Sequence, residues 1–365
     1  MFNNVYKNRR VFVTGHTGFK GSWLTQWLLN LGADIAGYSV DIPSQPSLYE
    51  LLHLKEKIRQ DYRDDIRDID RLSQAMADFQ PEIVFHLAAQ PIVRTSLAEP
   101  KLTFDVNLGG TVNILDAIRH IDSIVAAVFI TSDKCYENVE WEYGYRETDV
   151  LGGKDPYSAS KACAEMAISA YERSFYQDSN QALVSARAGN VIGGGDWAKD
   201  RIVPDCMRAW AKGETVEVRR PTAIRPWQHV LDPLGGYLDL GARLYAKDKD
   251  VIGEAFNFGP LSETYLTVGE LVKRLSNVWG ESAHSKLFNC EMQSREAGLL
   301  KLCCDKALAR LNWSATLSFS EAIMFTGEWY RDYYRSSKES MVDMTNAQIE
   351  KYVHLAKERG RFWAQ

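Results

Sequence analysis

The chain has 365 residues, of which 45% are hydrophobic and 25% are charged, and its formal net charge is -5. This composition is that of an ordinary globular protein rather than a disordered one, and the length suits two domains. The acidic balance argues against broad binding of nucleic acid or of an anionic membrane, because both need a basic protein surface.

The cysteines are scattered along the chain and form neither a CxxC pair nor a spacing with histidines that is typical of zinc sites. We therefore expect reduced thiols and no metal site. The cysteines are Cys135, Cys163, Cys206, Cys290, Cys303 and Cys304. No segment approaches the roughly 20 apolar residues that cross a membrane, and the apolar run after Arg10 is too short for an export signal. These features predict a cytoplasmic protein.

The first half of the chain alternates short apolar strands with helical segments. The predicted strands are 10–15, 34–40, 82–88, 126–132 and 182–189, and helices are predicted at 21–32 and 111–121. This rhythm predicts a parallel sheet with helices on both faces, which is an α/β doubly wound fold of the Rossmann type.

The rhythm ends near residue 193, where a Gly-rich polar segment begins. A strand at 256–259 and a late helix at 320–334 could rejoin the sheet. We predict a larger domain of residues 1–193 with 229–259 and 320–340, and a smaller, mixed substrate-binding lobe of residues 194–228 and 260–319. Thr345 and Gln348 form a capping-box pattern, which predicts an accessory helix within 341–365 that ends at Gly360.

A glycine-rich turn joins the first strand to the first helix. Gly15, Gly18 and Gly21 follow the pattern GxxGxxG, which lets backbone N–H groups approach a pyrophosphate at the helix N-terminus. Asp41 ends the second strand, where a carboxylate can accept hydrogen bonds from both hydroxyls of an adenosine ribose. It would repel a 2′-phosphate, so the pattern predicts NAD rather than NADP. The alternative is that Asp41 is a solvated loop acid.

Other residues are predicted to contact the same cofactor. Asp65 and Ile66 lie where such folds often hold the adenine, whereas His16 and Lys20 could contact the phosphates or the nicotinamide half. His86 is instead interpreted as a strand histidine with internal partners. The remaining predicted cofactor contacts are Phe19, Ala88 and Gln90.

A predicted helix carries a tyrosine and a lysine at useful spacing. Asp155 is a plausible N-cap and Pro156 suits the first helical position, so Tyr157 and Lys161 lie four residues apart on one face. A nearby ammonium stabilises phenolate over phenol, which brings a tyrosine towards the strength of a useful base.

Motifs along nearly the whole chain resemble those of the extended short-chain dehydrogenases/reductases that act on nucleotide sugars. They are the three glycines, HLAAQ (86–90), Asn107 in DVNLGGTVN, the TSD strand end (131–133) and Tyr157-x-x-x-Lys161. The resemblance implies that NAD takes a hydride from a sugar carbon while Tyr157 takes the proton of its 4-hydroxyl. It also implies that Ser132 is the hydroxyl partner and that Lys161 tunes Tyr157 and bonds the nicotinamide ribose. A homo-oligomer is implied, with a dimer formed through the helices near 100–120 and 157–175 and a tetramer as the alternative.

Asp133 and Lys134 follow Ser132 directly and bear on the type of reaction. In the resembling 4,6-dehydratases an Asp at this position protonates the departing 6-hydroxyl, so Asp133 favours elimination; the alternative is that it caps a turn. Most of these enzymes have a Glu at the next position as the base that removes the C5 proton. Lys134 departs from that pattern, and GHTGFKGSWL, HLAAQPIVR and TSDKCYE together resemble the subgroup that acts on CDP-glucose. We interpret Lys134 as the C5 base, with positioning of the substrate as the competing role.

The resemblance also implies contacts to the nucleotide diphosphate. Asn190 and Arg225 should reach the phosphates, since a planar guanidinium suits bidentate binding of phosphate oxygens. Arg201 and Arg208 are weaker candidates that could equally be surface charges. Gln90 and Arg94 are predicted to line the sugar pocket, and Asn107 is a further candidate for substrate binding.

Two other functions stay open. A nucleotide-sugar 4-epimerase would use the same oxidation without elimination. A non-catalytic NAD-binding regulator could use the same fold, although it would not need Ser132, Tyr157 and Lys161.

Overall fold

A parallel sheet forms the centre of the computed structural model, which describes residues 1–218, 220–260, 266–288, 299–335 and 340–365. The strands of the described residues are β1 (Arg10–Thr14), β2 (Asp34–Tyr38), β3 (Gln60–Tyr62), β4 (Ile83–His86), β5 (Ala126–Ile130), β6 (Ala182–Ala188), β7 (Val191–Ile192), β8 (Val216–Val218), β9 (Ile224–Arg225), β10 (Gln228–His229), β11 (Ala255–Phe258), β12 (Leu266–Thr267) and β13 (Ser285–Leu287). Seven of them form one sheet in the order β11-β6-β5-β4-β1-β2-β3, and every neighbouring pair is parallel. The predicted doubly wound fold is confirmed.

The helices cover both faces of this sheet. They are α1 (Phe19–Asn30), α2 (Leu48–Leu51), α3 (Leu54–Lys57), α4 (Ile69–Phe79), α5 (Val93–Ala98), α6 (Pro100–Phe104), α7 (Gly110–Ile118), α8 (Pro156–Tyr171), α9 (Ile202–Ala211), α10 (Leu231–Tyr245), α11 (Val268–Trp279), α12 (Asp305–Leu311), α13 (Phe319–Arg335) and α14 (Met341–Glu358). Short helical turns of other types lie at Phe2–Asn4, Asp105–Gly109, Asp133–Cys135, Glu172–Tyr176 and Phe362–Ala364. Among the described residues no helix has both the length and the apolar character that crossing a membrane requires.

Two apolar clusters hold the helices against the sheet. One cluster packs α4 and α7 on β1, β4 and β5, and it includes Phe12, Met76, Ile114 and Phe129. The larger cluster packs α1, α10, α13 and α14 on the opposite face. The central strands are buried on both faces, as is expected of a parallel sheet.

The sheet order creates a crevice at the carboxyl ends of the central strands. Because β1 lies between β4 and β2, the chain leaves β1 and β4 towards opposite sides, and the carboxyl ends of these strands open a crevice. Ligands of doubly wound sheets bind at such a switch point. The glycine turn follows β1, HLAAQ follows β4 and TSD follows β5, so all three motifs lie at this edge.

Small two-stranded sheets lie outside the main sheet. They pair β10 with β7, β12 with β9 and β13 with β8. The division into two domains stays a prediction, and part of the smaller predicted lobe lies outside the described residues, namely 261–265 and 289–298 with Cys290.

The start of the last helix was predicted wrongly. Helix α14 begins at Met341, so Thr345 lies inside it and accepts a hydrogen bond from Trp329 Nε1 at 3.0 Å instead of capping the helix. Gln348 donates to the Phe325 carbonyl at 2.7 Å. The predicted end is correct, since Gly360 follows the last helical turn with φ of +67°.

Candidate active site

The glycine turn between β1 and α1 is shaped by close backbone contacts. Gly15 has φ of +73°, and a Cβ on it would lie 2.8 Å from the Ala88 nitrogen. A Cβ on Gly21 would lie 2.0 Å from the Gly15 oxygen. Gly18 precedes α1 without a capping side chain, so the first N–H groups of the helix are left for a ligand. This arrangement fits a pyrophosphate, and it brings Ala88 beside the turn.

The side chain of His16 lies below the glycine turn. It is fully buried below the turn, where its ring nitrogens pair with Asp61 at 2.8 Å and with Ser39 at 2.9 Å. The imidazole is therefore occupied within the protein, and a cofactor contact of this residue is left to its backbone. Phe19 starts α1 and packs close to Gly193.

The predicted adenosine residues lie at the ends of β2 and β3. Asp41 is exposed at a cavity of about 640 Å³ that Tyr49 and Arg63 also line. The carboxylate of Asp65 is taken by an ion pair with Arg67 at 2.6 Å, which lowers its pKa. Ile66 is buried against Gly110 at the start of α7.

Helix α8, which carries Tyr157 and Lys161, begins as the sequence predicted. Asp155 caps α8 by accepting the N–H of Ser158 at 3.0 Å, and Pro156 takes the first position. Tyr157 and Lys161 are then buried on the same face. Burial raises the pKa of Tyr157 to about 12, and the nearby Ser132 hydroxyl opposes that rise. Burial lowers the pKa of Lys161 to about 8.

Ser132, Asp133 and Lys134 form a tight turn directly after β5. The Ser132 hydroxyl donates to Asp133 Oδ1 at 3.0 Å and accepts the Lys134 backbone N–H at 3.2 Å. Lys134 is partly buried, and its Nζ lies 5.8 Å from the centroid of the Tyr157 ring. The turn thus presents an acid and an amine beside the phenol.

The side chain of Asp133 is almost completely buried. It is 2% exposed, and among the described residues its Oδ2 has no hydrogen-bond partner. A Cβ on Gly189 would lie 2.9 Å from that oxygen, so the absence of a side chain at 189 leaves it room. Burial raises the pKa of Asp133 against the charges of Lys134, Lys20 and Arg225. Burial thus acts in favour of the neutral acid, and one oxygen is available to a ligand.

Lys20 belongs to this centre rather than to the glycine turn. Its Nζ lies 5.9 Å from the centroid of the Tyr237 ring. Burial, together with the charges of Arg201 and Lys161, lowers the pKa of Lys20 to about 8, while Asp133 raises it. Tyr237 is itself buried, and its hydroxyl has no partner among the described residues.

Two residues that were predicted to contact ligands have hydrogen-bond partners within the protein. The Asn107 amide, 1% exposed, binds both backbone groups of Gln90 and the Ser160 hydroxyl. The Gln90 amide binds Thr103 at 2.9 Å and the Ile92 N–H at 2.7 Å. Both side chains therefore have internal partners, and their predicted contacts to a sugar or a cofactor stay predictions. His86 is internal as predicted, between Thr14 and Thr111.

The remaining predicted substrate-binding residues fall into two groups. Arg201 pairs with Asp196 at 2.8 Å and lies close enough to Tyr157 to lower its pKa, and Arg225 acts in the same way on Asp133. Asn190 follows Gly189, and its carbonyl accepts the Gln228 N–H at 3.2 Å. By contrast, Arg94 and Arg208 form partly exposed ion pairs with neighbouring aspartates.

Arg94 and Arg208 form the second group because the side chains of both are engaged in ion pairs. Arg94 is 71% exposed and pairs with Asp200 at 2.5 Å. Arg208 pairs with Asp205 three residues earlier on α9 and donates to the Trp197 carbonyl at 2.8 Å.

Comparison with known proteins places the chain in a family. A family model described as GDP-mannose 4,6 dehydratase matches residues 12–326. The chain belongs to this family. Among its relatives, the CDP-glucose 4,6-dehydratase of Salmonella typhimurium is 45% identical over 355 residues, which covers 96% of this chain and 98% of the relative.

Solved structures show the same fold. The dTDP-glucose 4,6-dehydratase of Bacillus anthracis, solved in complex with NAD, has a TM-score of 0.74 at 19% identity and covers 89% of this chain and 97% of its own. The UDP-glucose 4-epimerase of Thermus thermophilus, also solved with NAD, has a TM-score of 0.72 at 26% identity and covers 88% of this chain and 99% of its own.

A buried ion pair behind helix α8 was not predicted from the sequence of this dehydratase-family chain. Glu165, one turn beyond Lys161, pairs with Arg187 of β6 at 2.7 Å and accepts hydrogen bonds from Thr131 and Ser185. Burial would raise the pKa of Glu165, but Arg187 and the two hydroxyls hold it below its usual range. The pair ties α8 to β5 and β6. The sequence feature that could have indicated this pair is the spacing of Glu165 four residues after Lys161 on the same helix.

Proposed function

We propose that the chain is a CDP-glucose 4,6-dehydratase, a hydro-lyase that converts CDP-glucose to CDP-4-keto-6-deoxyglucose with bound NAD. The observation that carries the proposal is Asp133, a buried acid with a free oxygen beside the Tyr157 phenol. A 4-epimerase needs no such acid, because it never removes the 6-hydroxyl. The near full-length similarity to the Salmonella enzyme supports CDP-glucose as the substrate.

The residues around the glycine turn fit NAD. The free N–H groups at the start of α1 would hold the pyrophosphate, and Asp41 would bind the ribose hydroxyls and repel a 2′-phosphate. When bound, NAD supplies a hydride acceptor for C4 of the sugar and a hydride donor for C6.

Tyr157 and Lys161 act on the 4-hydroxyl. As a phenolate Tyr157 accepts the hydroxyl proton, and Ser132 holds the oxygen in place. The Lys161 ammonium lies on the same helix face and favours the phenolate.

Asp133 and Lys134 act on C6 and C5. The ketone at C4 makes the C5 proton acidic, and Lys134 acts as the base that removes it. Asp133 then protonates the 6-hydroxyl, which leaves as water. Its raised pKa supports the acid role. Positioning of the substrate by Lys134 remains the competing role.

We also propose that the protein is a cytoplasmic homodimer that serves the synthesis of deoxysugars for surface polysaccharide. Apolar side chains exposed on or beside the predicted dimer helices support the dimer: Leu97 is 43% exposed, Met166 52% and Phe175 48%. The diphosphate would lie near Arg201 and Arg225.

One experiment separates the candidate functions. The protein is incubated with NAD and with CDP-, UDP- or dTDP-glucose, and the 4-keto-6-deoxy product is followed by its absorbance in alkali. We expect product with CDP-glucose alone, and none with the Tyr157→Phe variant. A new hexose without ketone would indicate an epimerase, and no change with any sugar would indicate a non-catalytic protein.

A further inference from the structure

The turn directly after β5 carries residues of the proposed reaction but belongs to a different element from Tyr157. Asp133 and Lys134 lie in this turn, whereas Tyr157 lies on α8. Within the turn, the Ser132 hydroxyl accepts the Lys134 N–H and the Ser132 carbonyl accepts the Cys135 N–H, each at 3.2 Å. These bonds fix the shape of the turn but not its position relative to α8. Contacts from outside the turn must set that position.

One buried ion pair bonds to the residues on either side of the turn. Glu165 of α8 accepts the hydroxyl of Thr131, the residue directly before Ser132. Arg187 of β6 donates to the hydroxyl of Tyr136, the residue directly after the turn, at 2.9 Å. Glu165 and Arg187 pair with each other at 2.7 Å. Both ends of the turn are therefore held by a single pair of side chains.

The Glu165 carboxylate also lies on the face of α8 that carries the tyrosine and the lysine. Tyr157, Lys161 and Glu165 follow each other at intervals of four residues, which is about one helical turn each. The bond from Thr131 to Glu165 joins the end of β5 to this face. It thereby sets the distance between Tyr157 and the turn.

The surroundings of the ion pair favour a positioning role over a stabilising one. Glu165, Arg187 and Tyr136 are almost completely buried. The cost of removing two charges from water is comparable with the attraction that a buried ion pair returns, so such a pair adds little net stability. Its hydrogen bonds to neighbouring groups are then its more direct contribution.

We propose that Glu165 and Arg187 are positioning residues that hold the turn after β5 at a fixed distance from Tyr157. Ser132 and Asp133 can then reach the sugar while Tyr157 takes the proton of its 4-hydroxyl. The proposal rests on the proposed function, because it assigns the pair to the geometry of that reaction. A misplacement of about 1 Å can cost on the order of a hundredfold in rate, so the loss of one of these hydrogen bonds should be visible in turnover.

Variants of Glu165 itself would not isolate this role. Glu165→Gln would leave the charge of Arg187 buried and unpaired, which destabilises a fold. Burial lowers the pKa of Lys161 and the Glu165 carboxylate opposes that shift, so the variant would also change Lys161. Replacement of a hydroxyl that donates to Glu165 leaves both charges in place.

Thr131 and Ser185 provide a matched comparison. Each donates one hydroxyl to the Glu165 carboxylate, but only Thr131 leads to the turn. In Thr131→Val we expect kcat to fall about ten- to a hundredfold, while the KM for CDP-glucose and the Kd of CDP change less than about twofold. Ser185→Ala is the control and should keep the wild-type kcat. Thr131→Ser, which keeps the hydroxyl, should recover most of the rate.

Tyr136→Phe tests the other end of the turn. It keeps the ring but removes the hydroxyl to which Arg187 donates. We expect kcat to fall in the same range as in Thr131→Val, again with little change in KM. If Thr131→Val does not fold, Tyr136→Phe carries the same comparison against Ser185→Ala.

Hydrogen exchange tests the contact without turnover. Amide exchange in a peptide that covers residues 131–136 is measured by mass spectrometry. It should be faster in Thr131→Val than in wild type, because a loosened turn exposes the N–H groups of Lys134 and Cys135. In Ser185→Ala it should be unchanged.

The proposal and the proposed function fail in different ways. Equal kcat values in Thr131→Val and Ser185→Ala, whether both fall or neither does, would overturn the positioning role. Unchanged exchange in Thr131→Val would also overturn it. If wild type forms no ketone from CDP-glucose, the proposed function itself is wrong, and the exchange measurement still decides whether the ion pair holds the turn.

Discussion

Asp133 and Asp232 are both fully desolvated carboxyl groups, and their neighbours give them different uses. Asp232 Oδ1 accepts the N–H groups of Thr316 and Leu317 and the hydroxyl of Tyr352, so it joins segments of the fold. Asp133 accepts one hydrogen bond, from Ser132, and its Oδ2, like that of Asp232, has no hydrogen-bond partner among the described residues. Burial raises the pKa of both groups, but only Asp133 lies beside the catalytic tyrosine.

Replacement of Asp133 should separate oxidation from elimination. In Asp133→Asn we expect the C4 oxidation to proceed while loss of the 6-hydroxyl slows by roughly 10²- to 10⁴-fold, the usual contribution of a general acid. Reduced cofactor should then accumulate, and its near-ultraviolet absorbance measures it. If oxidation and elimination slow by the same factor, Asp133 does not act as the acid.

The role of Lys134 can be tested with deuterated water. If the Lys134 amine removes the C5 proton, deuterium from the solvent should enter C5 of the product about 10²- to 10⁴-fold more slowly with Lys134→Met than with wild type. Mass spectrometry of the product measures the label. Labelling at the wild-type rate would leave Lys134 with a positioning role only.

Gly189 should matter through Asp133. An added methyl group would lie 2.9 Å from Asp133 Oδ2, so Gly189→Ala should move the acid and slow elimination about tenfold or more. The folded state should persist, as judged by circular dichroism. Gly109→Ala is the matched control, since a Cβ there has no neighbour within 4 Å. Equal activity in the two variants would argue against this positioning role.

Local spacing explains which site residues were predictable. Tyr157, Lys161 and the cap at Asp155 are set by neighbours within one helix, so the sequence pattern predicts their shared face. Asn107 and Gln90 resemble ligand-binding residues, but the partners of Asn107 lie 17 and 53 residues away. Their internal use depends on tertiary packing and could not be read from a motif.

At the scale of elements, apolar runs predicted the strands that are buried on both faces. β3 was not predicted, because its three residues are partly or fully exposed and form no apolar run. The start of α14 was misplaced for a related reason. The capping-box pattern is local, whereas Met341 is fully buried and belongs to the helix through its packing against the larger core cluster.

Asp232 should make the junction of α10 and α14 sensitive to pH. Burial raises its pKa to about 7 in the folded protein, against about 3.9 for an exposed aspartate. Between these values the folded state keeps a proton that the unfolded state has lost. The free energy of unfolding should therefore fall as pH rises from about 4 to about 7, and level off above.

The isosteric variant isolates this effect. Asp232→Asn keeps an oxygen acceptor for Thr316 and Leu317 but cannot titrate. Melting temperatures measured at intervals from about pH 5 to pH 8 should decline less in the variant than in wild type. Tyr352, Arg359 and Arg361 are the other titratable groups facing Asp232, and they are unchanged in both proteins. Parallel profiles would show that Asp232 is not the responsible group.

At the scale of the whole molecule, residues near the two ends of the chain complete one aromatic cluster. Phe2 stacks on Trp363 with ring centroids 5.0 Å apart, and Trp363 stacks on Tyr352 of α14 at 5.7 Å. Trp27 of α1 contacts the same indole edge-on at 5.8 Å. These contacts pack α14, the predicted accessory helix, against α1, which follows the glycine turn. Removal of α14 would therefore disturb the side of the fold that is proposed to bind the cofactor.

Trp363→Ala should accordingly destabilise the whole chain. Removal of a buried aromatic side chain costs about 3–5 kcal/mol in free energy of unfolding, because its neighbours cannot close the cavity. Phe362→Ala is the matched control: Phe362 is the adjacent residue, is 54% exposed, and should change that free energy by less than about 0.5 kcal/mol. Urea unfolding followed by circular dichroism measures both variants. Similar losses in the two would mean that residues 362–364 stabilise the protein through their backbone rather than through the Trp363 ring, and that the aromatic cluster does not couple α14 to α1.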